Sequence, residues 1–385
     1  MKELTQNIFY IGVDDNDIDL FEGQYVVPNG ISYNSYLIKD DKIAVMDTVD
    51  ERKCDAWLSN LEEALDGRIP DYVILLHMEP DHTGSLKAFL EKYPGALVVS
   101  SQKLFNMIPQ FFEGLDLTGR QVIVNEGDTL PLGTDTLKFI MAPMVHWPEV
   151  MMAYEESKKI LFSADAFGKF GSLSTDEDWV CEARRYYFNI VGKYGVQVQA
   201  LLKKASALDI QKIYPLHGPI LTENLDYYIG KYDTWSSYRP EDKGVFIAYA
   251  SIYGHTKVVA EKLKELLEGK GVKVAISDLA RDDMAECVED AFRYNRLVLA
   301  SPTYDGGIFP VVESFIEHLK SKNYQGRHVA FIENGSWAPI AAKKMRTEME
   351  GLKDITFVEP VITIKSAMKQ ADLAQVEALA EALKD

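Results

Sequence analysis

The sequence has few cysteines and no long hydrophobic run, and these shortages exclude several classes of protein. Its three cysteines, Cys54, Cys181 and Cys287, are each more than a hundred positions apart in a chain of 385 residues. Without a CxxC pair, a sequence-local zinc ribbon, a rubredoxin-type site and a disulfide framework are excluded. The longest apolar run, residues 245–250, is far shorter than the roughly 20 residues of a membrane-spanning helix. The first residues also lack the basic and apolar regions of a signal peptide, so we expect a protein of the reducing cytoplasm.

Basic residues are in deficit as well. The chain has 41 Lys and Arg against 59 Asp and Glu, a formal net charge of −18. This balance argues against nucleic acid or an anionic membrane surface as the main partner. The acidity is uneven, because residues 244–385 carry 18 basic and 21 acidic side chains, which leaves 23 and 38 for residues 1–243. The two parts therefore differ in net charge, and the length itself predicts more than one domain of about 150 residues.

After residue 244, short apolar runs alternate with amphipathic stretches. We predict strands over 245–249, 272–277, 297–300, 328–332 and 356–362, and helices near 256–269, 284–293, 311–320, 338–349 and 371–384. Five such β/α units indicate a doubly wound parallel sheet. Sheets of this kind bind ligands at the carboxyl ends of their strands.

The segment KYDTWSSYRPEDKG, residues 231–244, is polar and contains Ser, Pro and Gly, so we interpret it as a linker. It sets predicted domain limits of 1–240 and 244–385. The first domain opens with a predicted edge strand and continues with strands at 36–38, 43–47, 72–76, 97–99, 137–140 and 160–162 and helices near 51–66, 85–93 and 179–206. Consecutive strands favour hairpins and mixed sheets, hence an α/β sandwich of a different class from the second domain.

Histidine is scarce, which makes the positions of the histidines informative. Four of the seven precede the linker, namely His77, His82, His146 and His217. The first two enclose Glu79 and Asp81 in the string HMEPDH, directly after an apolar strand. Alternation along an extended chain, or a tight loop, can turn such residues toward one point. The string is therefore a candidate metal site.

Three further candidate ligands follow later strands. His146 comes after strand 137–140, Asp165 after strand 160–162 and His217 after the apolar pair 213–214. A single buried histidine more often only forms a hydrogen bond, but seven nitrogen and oxygen donors at strand ends favour metal binding. That number suffices for two ions with a bridging carboxylate. Mixed nitrogen and oxygen ligation favours iron or manganese, with zinc as the alternative.

The HMEPDH string resembles the HxHxDH motif of the metallo-β-lactamase fold, with Glu79 where the hydrolases carry a histidine. This substitution is typical of the flavodiiron proteins (A-type flavoproteins), which the chain also resembles in length and domain order. The resemblance implies an α/β protein, with an N-terminal metallo-β-lactamase-like αββα sandwich and a C-terminal flavodoxin-like doubly wound parallel sheet. It implies one iron held by His77, Glu79 and His146, a second held by Asp81, His82 and His217, and Asp165 bridging them. Trp147, Tyr186 and Tyr187 would be either neighbours of this centre or ordinary core aromatics.

The second domain offers three loops for a flavin. ASIYGHT, after the first strand, lacks GxGxxG and GxxxxGK[ST] but brings hydroxyls and free amides to a helix N-terminus, as an anion site requires. It resembles the phosphate loop of flavodoxins, and SPTYDGG and ENGSWAP resemble the loops that flank the flavin ring. The resemblance implies that FMN is bound by Ser251, Tyr253, Gly254, His255, Thr256, Ser301, Pro302, Thr303, Tyr304, Asp305, Gly306, Asn334, Gly335, Ser336 and Trp337. Trp337 or Tyr304 is expected to stack on the ring.

The resemblance implies a soluble flavo-diiron reductase, in which FMN passes electrons to two irons that reduce O2 to water or NO to N2O as detoxification. It also implies a head-to-tail homodimer or dimer of dimers, and a separate electron donor, either rubredoxin or a similar carrier or reduced deazaflavin. Two other enzyme classes stay open. Glu79 and the flavin loops argue against a metallo-β-lactamase-type hydrolase. The seven ligand positions argue against an FMN-dependent quinone or NAD(P)H oxidoreductase with a scaffold first domain, and the completeness of both sites argues against a redox-sensing module.

Overall fold

The computed structural model describes residues 2–384, which form two compact units. One unit runs up to Tyr186 and resumes over Val196–Asp233, and the other comprises Tyr187–Gly195 and the chain from Thr234 onward. The domain limits of 1–240 and 244–385 stay predictions. Within residues 2–384, no helix combines the length and the apolar character that crossing a membrane requires.

The first unit contains short strands, which in chain order are β1 Lys2–Thr5, β2 Ile8–Tyr10, β3 Val13–Asp15, β4 Leu20–Phe21, β5 Tyr25–Val26, β6 Ile31–Tyr33, β7 Tyr36–Lys39, β8 Ile43–Met46, β9 Tyr72–Ile74, β10 Leu97–Ser100, β11 Gln121–Ile123, β12 Thr129–Pro131, β13 Thr136–Met141, β14 Met151–Glu155, β15 Ile160–Phe162 and β16 Lys212–Tyr214. Two sheets dominate. The first sheet has the order β1-β2-β7-β8-β9-β10-β11, and the second has the order β12-β13-β14-β15-β16. The predicted edge strand is β1, which pairs with β2 alone.

Both sheets are mixed, as the run of consecutive strands predicts. Antiparallel hairpins join β1 to β2 and β7 to β8, whereas β8, β9, β10 and β11 run parallel. In the second sheet β12 to β15 are antiparallel, and only β16 joins in parallel. Strands β8 and β15 are buried over their whole length. Continuous apolar runs of this kind are typical of strands covered on both faces.

The helices that precede the sheet of the second unit in the chain are α1 Cys54–Leu65, α2 Pro80–Thr83, α3 Leu86–Lys92, α4 Gln102–Phe111, α5 Trp179–Tyr186, α6 Gly195–Ala205 and α7 Leu225–Ser236. The single long helix predicted over 179–206 is wrong in detail. A π-helical turn at Tyr187–Val191 and a 3-10 turn at Gly192–Tyr194 separate α5 from α6. All five residues of the π-helical turn are buried, and a regular amphipathic helix cannot bury five consecutive side chains on one face.

The predicted linker is also largely wrong. Helix α7 extends to Ser236, and the next strand begins at Asp242, so only residues 237–241 lie between regular elements. Tyr232 and Trp235 are almost completely buried. Their spacing along the chain puts them on one helix face, a periodicity that the surrounding polar residues conceal.

The second unit contains strands β17 Asp242–Tyr249, β18 Val274–Asp278, β19 Tyr294–Tyr304, β20 Gly307–Ile308, β21 His328–Asn334, β22 Thr356–Phe357 and β23 Ile362–Ile364, and helices α8 His255–Glu268, α9 Met284–Arg293, α10 Pro310–Ser321, α11 Ala341–Met349 and α12 Leu373–Ala382. The order β18-β17-β19-β21 continues with β22 and β23, all parallel. This is a doubly wound sheet, and its order reverses between β17 and β19.

The last predicted strand, 356–362, is divided into β22 and β23. Residues 358–361 include Pro360, which has no N–H for a sheet ladder. Strands β19 and β21 extend beyond their predicted ends, and this extension changes how two candidate flavin loops are built.

Candidate metal centre and flavin site

The seven candidate metal ligands lie at strand ends of the first unit. His77 follows β9, and the turn after it leads into α2, whose first residue is Pro80. The fixed backbone of proline favours the first helical position, so Glu79 precedes the helix while Asp81 and His82 lie within it. His146 lies between β13 and β14, Asp165 follows β15 and His217 follows β16. Two sheets thus bring ligands together from four places in the sequence.

His77, Glu79, His146 and one oxygen of Asp165 form the first group of donors. Glu79 Oε2 is 3.1 Å from His77 Nε2 and 3.2 Å from His146 Nε2. Asp165 Oδ2 is 3.1 Å from His146 Nε2 and 3.6 Å from His77 Nε2. Donor atoms of all four residues lie within 4.8 Å of one another, which is close enough to hold one ion.

Asp81, His82 and His217 form the second group, which includes the other oxygen of Asp165. Asp165 Oδ1 is 3.0 Å from His82 Nε2 and 3.9 Å from His217 Nε2. His217 Nε2 is 3.2 Å from Asp81 Oδ2. The structure therefore brings all seven residues together, and Asp165 offers one oxygen to each group, the arrangement of a carboxylate between two ions.

Several donor atoms of this centre are buried without a hydrogen bond. Among residues 2–384, neither oxygen of Asp81 nor Nε2 of His217 has a hydrogen-bond partner, although both side chains are buried. Leaving a buried polar group without a partner costs about 1–3 kcal/mol. A cation between these atoms would satisfy them, so the residues present fit a pair of metal ions held by nitrogen and oxygen.

The pKa values of the candidate histidine ligands also favour a metal site. Burial lowers the pKa of the His82 ring, but the charges of Asp81 and Asp165 outweigh it and raise that pKa to about 9. Burial is likewise outweighed at His146, where hydrogen bonds with Asp165 and Glu79 raise the pKa to about 9. Without metal, protons on the imidazoles balance the carboxylates. Metal ions would replace those protons.

Two groups that the sequence did not indicate fix the orientation of the histidines. Glu149 Oε1 lies 2.8 Å from His77 Nδ1 and also accepts the Met78 N–H at 2.9 Å. The Ser32 carbonyl is 2.7 Å from His217 Nδ1. Both contacts leave the Nε2 atom of the ring directed at the other candidate metal ligands. Carboxylates and backbone carbonyls orient metal-binding imidazoles in the same way. His82 Nδ1, in contrast, is buried and has no such partner in residues 2–384.

The three aromatic residues proposed as neighbours differ in position. The Trp147 ring meets His77 edge to face at 5.2 Å, and the buried Tyr186 ring lies 5.6 Å from His217. Tyr187 packs instead against Phe188 and Trp235 of the second unit, at 5.2 and 5.5 Å. Trp147 and Tyr186 thus contact ligand rings, whereas the Tyr187 ring contacts core aromatics.

A cavity of about 390 Å³ lies against the metal groups. Its walls include the ligands Glu79 and Asp81 together with Glu22, Tyr33 and Arg52. Burial raises the pKa of Glu22 to about 7, and the negative charge of Glu79 adds to the effect. A small molecule could therefore reach the centre through a polar space.

The first flavin loop joins β17 to α8. Gly254 precedes the helix with φ of +88°, a conformation that glycine adopts readily. The Ser251 hydroxyl is buried without a hydrogen-bond partner in residues 2–384, and Thr256 is buried. Tyr253 is 88% exposed, and His255 is exposed too. An unpaired hydroxyl beside free helix amides fits a phosphate group.

The second and third loops differ from the prediction because their strands are longer. Ser301, Pro302, Thr303 and Tyr304 belong to β19, and the turn that follows is Asp305–Gly306, with both φ angles positive. Tyr304 pairs with Gly307 across this hairpin, since two residues with positive φ match the twist of a two-residue turn.

Strand β21 likewise includes Asn334, so the third loop starts at Gly335. The Thr303 hydroxyl accepts the N–H groups of Ile340 and Ala341, which ties the second loop to the end of the third. Ser336 bonds to Ser366 at 2.7 Å, which adds a fourth loop that the sequence motifs did not indicate. Trp337 is 91% exposed, and Tyr304 is 45% exposed. Both rings are therefore free to meet a flat ligand at the carboxyl ends of β17, β19 and β21.

Comparison with known proteins agrees with this architecture. Residues 31–218 match the family model described as ODP family beta lactamase, and residues 246–359 match the flavodoxin domain model. A nitric oxide reductase of Moorella thermoacetica is 30% identical over 383 residues, which cover 96% of this chain and 94% of the relative.

Solved structures show the same two-domain fold. Rubredoxin oxygen:oxidoreductase of Desulfovibrio gigas superposes with a TM-score of 0.92 at 24% identity, over 100% of this chain and 97% of that one. The flavodiiron protein of Giardia intestinalis superposes with a TM-score of 0.89 at 26% identity, over 99% and 96% of the two chains. The predicted fold class, a metallo-β-lactamase-like domain followed by a flavodoxin-like domain, is confirmed.

Proposed function

This chain is a member of the flavodiiron protein family, and from that membership we propose that it is an oxidoreductase that reduces O2 to water or NO to N2O. One observation carries the proposal. Asp165 directs one carboxylate oxygen at His77 and His146 and the other at His82 and His217. A carboxylate shared in this way would contribute one oxygen to each of two metal ions, and such a pair of ions can bind and polarise a small substrate.

The first unit would hold the irons through the seven residues His77, Glu79, Asp81, His82, His146, Asp165 and His217. When bound, FMN would exchange electrons singly or in pairs, and two irons would store electrons and bind the gas. Glu149 and Ser32 keep two of the imidazoles in the tautomer that leaves Nε2 free. Glu22, in the adjoining cavity, provides a carboxyl group whose pKa of about 7 lets it hold a proton near neutral pH.

The second unit would hold FMN in its four loops. Ser251, Gly254 and Thr256 would bind the phosphate at the start of α8, and Trp337 or Tyr304 would cover the ring. The remaining candidates, Tyr253, His255, Ser301, Pro302, Thr303, Asp305, Gly306, Asn334, Gly335 and Ser336, would line the same crevice. Every side chain in this set comes from the carboxyl end of a parallel strand or the loop beyond it, where doubly wound sheets bind nucleotides.

Three further proposals concern the setting of the reaction. Electrons come from a separate carrier, either rubredoxin or a similar redox protein. The chain forms a head-to-tail homodimer or a dimer of such dimers, and it works in the cytoplasm. The two rival enzyme classes are disfavoured by particular residues. Glu79 replaces the histidine of the hydrolases, and a scaffold domain has no need of a buried carboxylate such as Asp81, whose oxygens have no hydrogen-bond partner within residues 2–384.

The test is to purify the protein anaerobically, count iron and FMN per chain, and follow gas consumption with O2 and NO electrodes under one reduced donor. We expect iron near two and FMN near one per chain, with consumption of at least one gas. Asp165→Asn should lower both iron content and turnover, because the amide has a single, uncharged oxygen and cannot offer one to each of the two ions. Zinc without flavin absorbance, together with ester or thioester hydrolysis, would contradict the proposal.

A further inference from the structure

A second cavity, of about 330 Å³, lies in the first unit and has no role in the function proposed above. It is enclosed by strands β14, β15 and β16 and by helices α6 and α7. We call it the helix-side cavity and define it by Met152, Leu161, Val198, Leu201, Ile213 and Ile229, which line it. These six apolar side chains favour contact with apolar molecules.

Three of the polar residues of the helix-side cavity lie at its solvent side, and the fourth, Tyr232, is buried. Ser206, Asp209 and Asp226 line it and are exposed, and Asp209 is paired with Lys159. The Tyr232 hydroxyl accepts the Phe167 N–H at 2.6 Å. An ion or a strongly polar ligand inside would therefore leave its charge without compensation, which is costly.

The inner end of the cavity lies one residue away from two metal ligands. Ala166 and Phe167 line the cavity, and the preceding residue, Asp165, faces the metal groups. Val145 also lines it, and the following residue is His146. A single loop on each side thus separates the apolar space from the two donor groups.

Backbone hydrogen bonds connect the residues of this wall. The Ala166 N–H bonds to the Ser163 carbonyl at 3.2 Å, and the Gly168 N–H bonds to the Asp165 carbonyl at 2.9 Å. The rings of Phe167 and Tyr232 lie 4.3 Å apart at this end. A rotamer change of the Phe167 ring would be needed to open a path at this end, and side chains in packed interiors still change rotamer.

The two cavities of the first unit differ in chemistry. The cavity beside Glu22 and Arg52 is lined by charged groups and suits protons and water. The inner part of the helix-side cavity, where the lining is apolar, suits an uncharged, apolar molecule, and apolar cavities in proteins can hold xenon and small hydrocarbons. Dioxygen and nitric oxide have the same character, being small, uncharged and weakly hydrated.

We propose that the helix-side cavity takes up the diatomic gas from solution and delivers it to the diiron centre past Val145 and Ala166. This inference rests on the proposed function, because it names the route by which that site receives its substrate. The polar cavity then carries protons inward and product water outward. The separation prevents the gas from competing with water for one entrance.

The first experiment uses xenon as a probe that does not depend on turnover. Crystals of the metal-loaded, FMN-loaded protein are pressurised with xenon, and anomalous density is measured. We expect a xenon atom between Leu161, Leu201 and Ile213 and none beside Glu22. Absence of xenon from the helix-side cavity would overturn the inference.

The second experiment fills the cavity and compares gas affinity. Ala205 lines the cavity at the end of α6, whereas Ala200 of the same helix is exposed. We expect Ala205→Phe to raise the KM for the gas roughly ten-fold while kcat at saturating gas stays unchanged, because entry rather than chemistry is obstructed. Ala200→Phe is the matched control and should behave like the wild type, and the iron content and Tm of both variants are measured alongside.

The outcomes separate this inference from the proposed function. Equal KM values for the two variants, in a protein that does reduce the gas, would overturn the delivery route alone. A wild-type protein that consumes neither gas would overturn the proposed function and the delivery route together. Xenon in the cavity with a raised KM for Ala205→Phe alone would support both.

Discussion

The clearest prediction concerns Glu149, whose carboxylate orients His77. Its side chain is completely buried, and Oε1 meets both His77 Nδ1 at 2.8 Å and the Met78 N–H at 2.9 Å. The other oxygen is buried without a partner in residues 2–384. In Glu149→Gln the amide oxygen can keep both contacts, so the substitution removes the negative charge and little else.

The magnitude follows from the strength of the bond that changes. A hydrogen bond to a charged group contributes about 1.5–3 kcal/mol, against about 0.5–1.5 kcal/mol for a neutral one. Losing the charge should therefore cost roughly 1.4 kcal/mol, or about ten-fold in iron affinity. Glu149→Leu removes the acceptor as well and should cost about 100-fold, the upper end for groups behind a metal ligand.

The assay is anaerobic competition for ferrous iron between the protein and a chelator, with iron per chain measured across the titration. The iron nearest His77 should be lost first, which leaves a one-iron form. Glu155→Gln is the matched control, because Glu155 is also fully buried and accepts hydrogen bonds from Ser157. The Tm values of the metal-free proteins separate folding from binding. Iron affinity in Glu149→Gln equal to that of the wild type, or an equal loss in Glu155→Gln, would refute the reasoning.

Three other predictions follow from particular side chains. His82→Asn should reduce iron to about one per chain, because His82 Nε2 lies 3.0 Å from Asp165 Oδ1 in the second donor group. Iron content that stays unchanged would remove His82 from the ligand set. Ser251→Ala should weaken FMN binding about ten-fold, as expected for a lost hydrogen bond to a charged group. The apoprotein Tm should stay unchanged, because the Ser251 hydroxyl has no hydrogen-bond partner within residues 2–384. Fluorescence titration with FMN measures the Kd, and an unaltered Kd would contradict the prediction. Burial raises the pKa of the Cys287 thiol to about 12. Iodoacetamide at neutral pH should therefore label exposed Cys181 and spare Cys287 until the protein is unfolded. Mass spectrometry after labelling of the native protein identifies the modified cysteine, and early modification of Cys287 would count against its burial.

The sequence alone determined the chemistry of both candidate sites. HMEPDH, His146, Asp165 and His217 follow apolar runs, and the end of such a run is a local property that periodicity reveals. The type of each side chain fixes what it can bind, so seven nitrogen and oxygen donors predict a hard metal centre without any coordinates. The parallel sheet was predictable for the same reason, because each β/α unit carries its own pattern.

Some predicted element boundaries are wrong because tertiary packing overrides the local sequence pattern. Strands β19 and β21 extend over Tyr304 and Asn334 because their neighbours pair with them there. The helical face of Tyr232 and Trp235 was concealed by polar residues between them. In each case tertiary packing decided between two readings that local composition allowed.

Other features were decided only by the tertiary structure. Glu149 lies 72 positions from His77, and Ser32 lies 185 positions from His217. No spacing rule connects such pairs, because the distance between them is set by how two sheets pack. The same packing lets Asp165 direct one oxygen at each of the two donor groups. It also places the next residue, Ala166, in the wall of the helix-side cavity. The type of each side chain therefore decided which donor atoms the sites can offer, and the fold decided how those donors are oriented, because packing brings together residues that are far apart in the sequence.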